Sequence, residues 1–141
     1  MAEQVALDTT FLIDLQRERS AAQRERGHGD VAGPAHRFLT TAPDRELYLS
    51  PTALGEFAEG FDDPEHPLLR AVRDQHLLLP IDELTALAYG RIARALRLAG
   101  QLIGTNDLWI AATSVRYVLP LVTANAAQFS RVSGLEVISY R

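Results

Sequence analysis

The chain has 141 residues, of which 47% are hydrophobic and 23% are charged, and it carries a formal net charge of −4. These values predict one globular domain, residues 1–141, with room for a buried core. The sequence has no cysteine, which excludes disulfides, thiolate metal ligands and a thiol nucleophile. It has no apolar run near the roughly 20 residues that span a bilayer and no signal-peptide pattern at its start, so we expect a cytoplasmic protein without a membrane partner.

The negative net charge argues against a general nucleic-acid coat protein, which is usually basic. It does not exclude a nuclease. Such an enzyme combines a local acidic pocket for metal with a local basic rim for phosphate, and the net charge averages the two.

Apolar runs alternate with helical spacing along the chain. The runs predict strands at residues 4–8, 48–50, 76–80, 120–123 and 135–138. Helical spacing predicts helices at residues 10–19, 34–41, 51–60, 82–99 and 107–116, another that ends near residue 75, and a short turn at residues 125–128. The composition of residues 17–30, in which Arg, Glu, Gln and Gly dominate, predicts a helix that frays into a loop. This alternation predicts an α/β fold with a mostly parallel sheet and helices on both faces.

Two helix starts carry specific signals. Pro34 suits a first helical turn, and Asp82 suits the cap of the long helix that follows it. The apolar spacing of that long helix predicts a stripe facing the core, made of Leu84, Leu87, Ala88, Ala95 and Ala99.

Three acids occupy comparable places in this predicted fold. Asp8 ends the first strand, at the edge of an α/β sheet where ligands bind. Glu56 lies in the helix after the second strand, beside Leu54 and Phe57, and Asp107 opens an apolar helix. Carboxylates brought together repel one another unless they share a cation or a proton, and Mg²⁺ prefers oxygen ligands. The three acids are therefore candidate metal ligands.

Each acid also has an ordinary structural explanation. Asp107 fits an N-terminal helix cap, Glu56 fits a solvated helix acid, and Asp8 fits a turn former. Spacing alone leaves both explanations open. The other acids nearby are interpreted as surface charge: Asp14, Glu59, Asp62 and Asp63.

Four segments follow one another over nearly the whole chain. Leu7–Leu15 resembles the opening motif of PIN-domain ribonucleases, Thr52–Glu56 their second motif and Asn106–Ala112 their third. Leu121–Phe129, followed by Val132–Leu135, resembles the closing motif. Each motif is modest alone, but four in this order are specific, and their spacing is similar to that of VapC-type toxins of bacterial toxin–antitoxin pairs. The resemblance implies a PIN-like three-layer sandwich.

The resemblance also implies an activity, which is Mg²⁺- or Mn²⁺-dependent cleavage of RNA by an endoribonuclease toxin. Asp8, Glu56 and Asp107 match the family's acids and would hold the ion that activates water for attack on a phosphodiester. Thr9 would orient a ligand carboxylate or a substrate phosphate, with ordinary cap chemistry as the alternative.

Partners follow from the same resemblance. They are an RNA substrate, a second copy of the chain in a homodimer, and a cognate VapB-like antitoxin whose tail enters the active-site groove. Apolar residues on the early helices are candidate partner contacts, with core burial as the alternative: Phe38, Leu39, Phe57 and Phe61.

The closing motif departs from the family at Gln128, where an acid often precedes the final Phe. A Gln can accept a hydrogen bond or hold a metal-bound water, but it adds no negative charge. We therefore expect weaker metal binding than in a four-acid site, or reliance on Thr123 and Asn125 to support the ligands. The departure also motivates an alternative function, a catalytically weakened PIN-like domain that binds RNA or a partner without cutting.

Basic residues that would meet RNA phosphates form two groups. Arg91, Arg94 and Arg97 recur at every third residue of the long predicted helix, and a solvated helix face is the alternative explanation. The second group is mixed with acids and consists of Arg17, Arg19, Arg24 and Arg26.

Two other phosphoryl-transfer classes fit the chain less well. A haloacid-dehalogenase-type phosphatase would have a second Asp two residues after Asp8, where this chain has Thr10. A receiver-type signalling domain would need a late lysine, and the chain contains no lysine.

Overall fold

A parallel sheet organises the computed structural model, which describes residues 2–26 and 30–141. Those residues form five strands: β1 (Gln4–Leu7), β2 (Glu46–Leu49), β3 (Leu77–Leu78), β4 (Leu121–Thr123) and β5 (Val137–Ser139). All neighbouring strands are parallel, in the order β3-β2-β1-β4-β5. The chain first extends the sheet from β1 to β3 and then adds β4 and β5 on the other side of β1. This reversal opens a crevice at the carboxyl ends of β1 and β4, where open α/β sheets bind ligands.

Helices connect the strands, as the predicted α/β fold requires, and that prediction is confirmed. The described residues form seven: α1 (Thr9–Arg26), α2 (Pro34–Thr41), α3 (Pro51–Ala58), α4 (Pro67–Gln75), α5 (Glu83–Leu98), α6 (Thr105–Tyr117) and α7 (Ala126–Phe129). None of these helices is both long and apolar enough to cross a membrane.

The core lies between the central strands and helices α1 and α6. Val5, Leu121 and Val122 of the inner strands are fully buried, as is Phe11 of α1. Helix α6 buries every residue from 110 to 114, so it is covered on nearly all sides rather than on one stripe. The acid that α6 carries in its first turn is therefore held by a rigid element.

Helix α1 is longer than predicted, since it continues to Arg26 instead of fraying after residue 19. Residues 27–29 of the predicted loop lie outside the described residues. A contact on the last half of α1 explains its order: the carboxylate of Glu18 accepts hydrogen bonds from Ala35 N at 3.0 Å and His36 N at 2.8 Å. It thereby caps the free N–H groups at the start of α2. Gly33 permits this contact, because its φ is 146° and a Cβ there would lie 2.2 Å from Glu18 Cδ.

The buried side of α5 differs from the predicted stripe. Its buried residues are Thr85, Ala88, Ile92 and Leu96, whereas the other predicted members are exposed: Leu84, Leu87, Ala95 and Ala99. The apolar residues of the buried side recur at every fourth position, and the predicted stripe omitted two of them, Ile92 and Leu96. Thr85 is buried with them because the cap satisfies its polar groups. Asp82 Oδ1 accepts a hydrogen bond from Thr85 N at 3.0 Å, and Thr85 Oγ1 accepts one from Asp82 N at 3.3 Å.

Candidate active site

Asp8 lies at the reversal point of the sheet, immediately after the central strand β1. Its backbone N–H donates to Val122 O of β4 at 2.9 Å, which continues the strand pairing by one residue. The side chain is only 2% exposed. The sheet therefore fixes the backbone of Asp8 at the crevice.

Three donors hold the buried Asp8 carboxylate. Thr9 N donates to Oδ1 at 2.8 Å. Oδ2 accepts the hydroxyl of Thr10 at 3.0 Å and that of Thr123 at 2.7 Å. The two hydroxyls are themselves fixed, because Thr10 Oγ1 accepts Ala124 N at 3.1 Å and Thr123 Oγ1 accepts Asn125 N at 2.9 Å. The carboxylate thus has one orientation, set jointly by α1 and the end of β4.

Glu56 reaches the same crevice from α3, the helix that follows β2. Ser50 caps that helix by accepting Ala53 N at 3.0 Å, and Pro51 begins it. Both oxygens of Glu56 are held: Oε1 accepts the Thr9 hydroxyl at 2.6 Å, and Oε2 accepts the Asn106 amide at 3.3 Å. Thr9 consequently links two acids, Asp8 through its backbone N–H and Glu56 through its side chain.

Asp107 is not the cap of its helix. Gly104 occupies that position, without a side-chain hydrogen bond, and Asp107 is the third residue of α6. Its Oδ2 accepts a hydrogen bond from the Gln128 side-chain amide of α7. Gln128 therefore donates to an acid, whereas the sequence had led us to expect an acceptor or a water ligand.

The three acids interact electrostatically. Burial raises the pKa of Asp8, and the charge of Glu56 raises it further, although three hydrogen bonds act in the opposite direction. Burial also raises the pKa of Asp107, followed by the charge of Asp8, while the bond from Gln128 partly opposes these effects. Negative charge nearby thus makes it harder for Asp8 and Asp107 to remain ionised, which is the situation that a bound cation relieves.

No basic side chain compensates these acids in the described part of the chain. The ion pairs found there involve other acids: Glu3, Asp14, Glu65 and Asp82. Among the same residues, no group of three or more His, Cys, Asp or Glu side chains is arranged as it would be around a metal ion. Hydroxyls and amides hold the three predicted ligands at one edge of the sheet, within electrostatic range but not in a closed coordination sphere.

The donor set nevertheless fits Mg²⁺ or Mn²⁺. It consists of carboxylate oxygens without sulfur or imidazole, and each acid is oriented by a partner behind it. Mg²⁺ keeps several of its waters, so it needs few direct protein ligands.

Comparison with known proteins identifies the family. A family model described as PIN domain matches residues 5–135. The chain belongs to the PIN-domain family. Ribonuclease VapC1 of Haemophilus influenzae strain R2866 is 36% identical to it over 135 residues, 92% of each chain. Ribonuclease VapC1 of Rickettsia felis is 26% identical over 141 residues, 94% of this chain and 93% of that protein.

Solved structures agree with this assignment. The structure of VapBC-1 from nontypeable Haemophilus influenzae matches with a TM-score of 0.72 and 27% identity, over 97% of this chain and 98% of that one. VapBC2 from Rickettsia felis, bound to a DNA fragment from its promoter, matches with a TM-score of 0.76, over 98% of this chain and 99% of that one. The latter is 21% identical and supports the fold alone. The predicted family and fold are confirmed.

Two residues of this PIN domain were not recognised as part of the site from the sequence. Thr10, noted only because a phosphatase would have an Asp there, holds Asp8, and Asn106, noted only as the first residue of the third motif, holds Glu56. A signal for Thr10 was present, since a hydroxyl two residues after an acid in a first helical turn lies close to that acid. Asn106 gave no such signal, because its contact joins residues far apart in the chain.

Other predicted residues lie less directly at the site. Asn125 contributes through its backbone, which donates to Thr123, while its side chain is exposed. Arg91, Arg94 and Arg97 are exposed on α5, the helix that packs against α6.

A cavity of about 530 Å³ lies away from the acids, between α1, α2 and α4. Its walls are mainly apolar and include Leu12, Leu15, Leu39, Leu68 and Val72. Among the predicted partner contacts, Leu39 and Phe57 line this cavity, and Phe57 is buried. The other two, Phe38 and Phe61, are partly buried against the core.

Proposed function

We propose that this chain, residues 1–141, is a single PIN domain that acts as a divalent-metal-dependent endoribonuclease and as the toxin of a toxin–antitoxin pair. One observation carries the proposal: Asp8, Glu56 and Asp107 lie within electrostatic range of one another at the reversal point of the sheet, held by neutral donors and by no cation within the described residues. The relatives that are named Ribonuclease VapC1 support the reaction class.

Asp8, Glu56 and Asp107 would hold Mg²⁺ or Mn²⁺, directly or through water. When bound, such an ion activates water and stabilises the negative charge that develops on a phosphodiester. The hydroxyls of Thr9, Thr10 and Thr123 and the amides of Asn106 and Gln128 keep the acids in place. These groups prepare the site before substrate arrives, which lowers the cost of reorganisation during the reaction.

RNA phosphates would meet positive charge on α5. Arg91, Arg94 and Arg97 are exposed there and lie on the helix that packs against α6, which carries Asp107. Replacing one of them should weaken RNA binding and its dependence on salt without changing metal binding.

A cleavage assay tests the proposal. Purified protein is incubated with a mixture of structured RNAs in the presence of Mg²⁺ or Mn²⁺, with and without EDTA, and compared with Asp8→Asn. Asp62→Asn is the matched control, because it makes the same change at an exposed acid away from the sheet edge. We expect cleavage that EDTA and Asp8→Asn abolish and that Asp62→Asn retains. If the parent protein binds RNA but does not cut it under any of these conditions, the catalytically weakened binding module replaces the enzyme.

The partner that we propose is a VapB-like antitoxin, in the cytoplasm. The solved structure of VapBC-1 from nontypeable Haemophilus influenzae, which is 27% identical to this chain, supports it. The apolar cavity between α1, α2 and α4 suits an apolar side of an antitoxin helix, and Leu68 at its rim is 47% exposed. Leu68→Glu should abolish binding of the co-expressed antitoxin, whereas Leu98→Glu, at a 72% exposed leucine of α5, should not.

We also propose a homodimer. Leu84 and Leu87 are 54% and 63% exposed on one side of α5, which supports a second copy packing there. Sedimentation of Leu87→Glu tests this, since a charge on that surface should shift the protein to monomer.

A further inference from the structure

Gln128 has a contact that the family resemblance did not lead us to expect. Its amide donates to Asp107 Oδ2, and the side chain is half-buried on α7. An ionised carboxylate can only accept hydrogen bonds, so the Nε2 end of the amide must face Asp107 and its oxygen must face away. The positive end of the amide dipole therefore points into the site.

This contact gives Asp107 its side-chain partner. Asp8 has two threonine hydroxyls and a backbone N–H, and Glu56 has a hydroxyl and an amide. In the described part of the chain, Gln128 is the one side chain that donates a hydrogen bond to Asp107 Oδ2, and Asp107 Oδ1 accepts no side-chain hydrogen bond. Gln128 thus fixes Asp107 through one oxygen and leaves the other oxygen for a cation.

We propose that Gln128 sets the divalent-ion capacity of the site, so that the site holds one ion and excludes a second. The inference rests on the proposed function and deepens it. Three ionised carboxylates carry three negative charges, which neutralise one divalent ion but not the four positive charges of two ions. A second ion would need further anionic oxygens beside Asp107, and the group that lies there is a neutral amide that presents N–H.

The same contact also limits the electrostatic repulsion at Asp107 when no cation is bound. A carboxylate at position 128 would lie against Asp107, and like charges in contact disfavour the ionised forms of both. The neutral donor removes that repulsion and adds a hydrogen bond. Gln128 therefore lowers the number of metal ions that the site can hold, and it stabilises the protein when no metal is bound.

Gln128→Glu tests the proposal, because it keeps the length of the side chain and changes a donor into a charged acceptor. Its matched control is Gln4→Glu. Gln4 Nε2 donates to Glu46 Oε1 at 2.6 Å, so the control makes the same change in the same kind of pair at the opposite end of the β1 and β2 strands. Titration with Mn²⁺, followed by the EPR signal of the free ion, counts bound ions per chain. Melting temperature is measured with EDTA and with Mn²⁺.

We expect the parent protein and Gln4→Glu to bind one Mn²⁺ and Gln128→Glu to bind two. With EDTA, the melting temperature of Gln128→Glu should fall by roughly 3–6 °C, and Mn²⁺ should restore it. Gln128→Met is a second variant, neutral and of similar length but without a donor. It should still bind one ion, about tenfold more weakly, because Asp107 loses the partner that orients it.

The outcomes separate the inference from the proposed function. If the parent binds one ion and Gln128→Glu also binds one, the inference is wrong and the metal site stands. If the parent already binds two ions, Gln128 does not limit the capacity and the inference is also wrong. If neither the parent nor any variant binds Mn²⁺, both the inference and the proposed metal dependence fail.

Discussion

Two groups of acids in this protein differ in what faces them. Arg141 Nη2 lies 2.7 Å from Asp14 Oδ2, and Arg116 Nη2 lies 2.8 Å from Asp82 Oδ2. Asp8, at the crevice, has instead the hydroxyls of threonines and a backbone N–H. Asp14 and Asp82 thus pair with guanidinium groups, whereas Asp8 accepts hydrogen bonds from neutral donors.

The pKa directions follow this difference. The bond from Arg116 holds the pKa of Asp82 well below its usual range. Partial burial would raise the pKa of Asp14, but bonds from Tyr140 and Arg141 outweigh it and lower the pKa. Burial raises the pKa of Asp8 instead, and no basic side chain among the residues that the structure describes opposes this effect. An acid that already has its countercharge joins two elements of the fold, whereas an acid without one is a candidate ligand for a cation.

Among the variants considered, Asp107→Asn should have the largest effect on RNA cleavage. An Asn at this position can still accept the Gln128 hydrogen bond, but it removes the charge that a cation needs. We expect cleavage to fall by about 100-fold or more, since a catalytic metal supplies several kcal/mol of transition-state stabilisation. The melting temperature of the metal-free protein should stay the same or rise, because the variant relieves repulsion from Asp8. Cleavage close to that of the parent would remove Asp107 from the site.

Thr123→Val should reduce cleavage less, by about 10- to 100-fold, because it removes a group that orients Asp8 rather than a charge. Thr113→Val is the matched control. Thr113 is equally buried, but its hydroxyl donates to Trp109 O within α6 at 2.7 Å. Both variants should lose some stability, and only Thr123→Val should weaken Mn²⁺ binding. Equal effects of the two on Mn²⁺ binding would mean that Thr123 acts on the fold and not on the site.

The fold was accessible from the sequence because its signals are local. Pro34, Pro51 and Asp82 begin helices as expected, and the apolar runs lie on the strands. The buried side of α5 was accessible as well, because Ala88, Ile92 and Leu96 recur at every fourth residue, and the predicted stripe was wrong because it omitted Ile92 and Leu96. Only Thr85 was hidden, because it is polar. An apolar pattern cannot report a buried threonine whose hydroxyl is already satisfied.

The arrangement of the candidate site was accessible from the sequence in part. The motifs indicated Asp8, Glu56 and Asp107, and the sheet brings all three to one edge. The partners behind them were harder to find, because bonds such as Thr123 to Asp8 and Gln128 to Asp107 join distant parts of the chain. Which of two polar groups donates is fixed only when the fold places them together. For that reason Gln128 was expected to accept and in fact donates.

Low pH should reduce the stability of the folded protein, in part through Asp14. Its pKa is lower in the folded protein than the ordinary value of 3.8, so the folded state binds fewer protons there than the unfolded state does. The contribution is present above the ordinary pKa and is lost as the pH falls through the folded value. Asp14→Asn should cost about 1 kcal/mol at pH 7, the size of one net hydrogen bond. Thermal melting from pH 7 to pH 2.5 should show the parent and the variant converging, and a constant difference would contradict the assignment.

Asp82→Asn should have the smallest effect. Asn caps a helix as well as Asp does, so the bond to Thr85 N survives and only the ion pair with Arg116 is lost. That pair is exposed, and exposed ion pairs contribute little and are screened by salt. We expect a slightly lower melting temperature in low salt, none of that difference in high salt, and unchanged cleavage. Asp82→Ala, which loses the cap as well, should lower the melting temperature at both salt concentrations. If Asp82→Asn reduced cleavage, pairing with arginine would no longer distinguish the acids of the fold from those of the site.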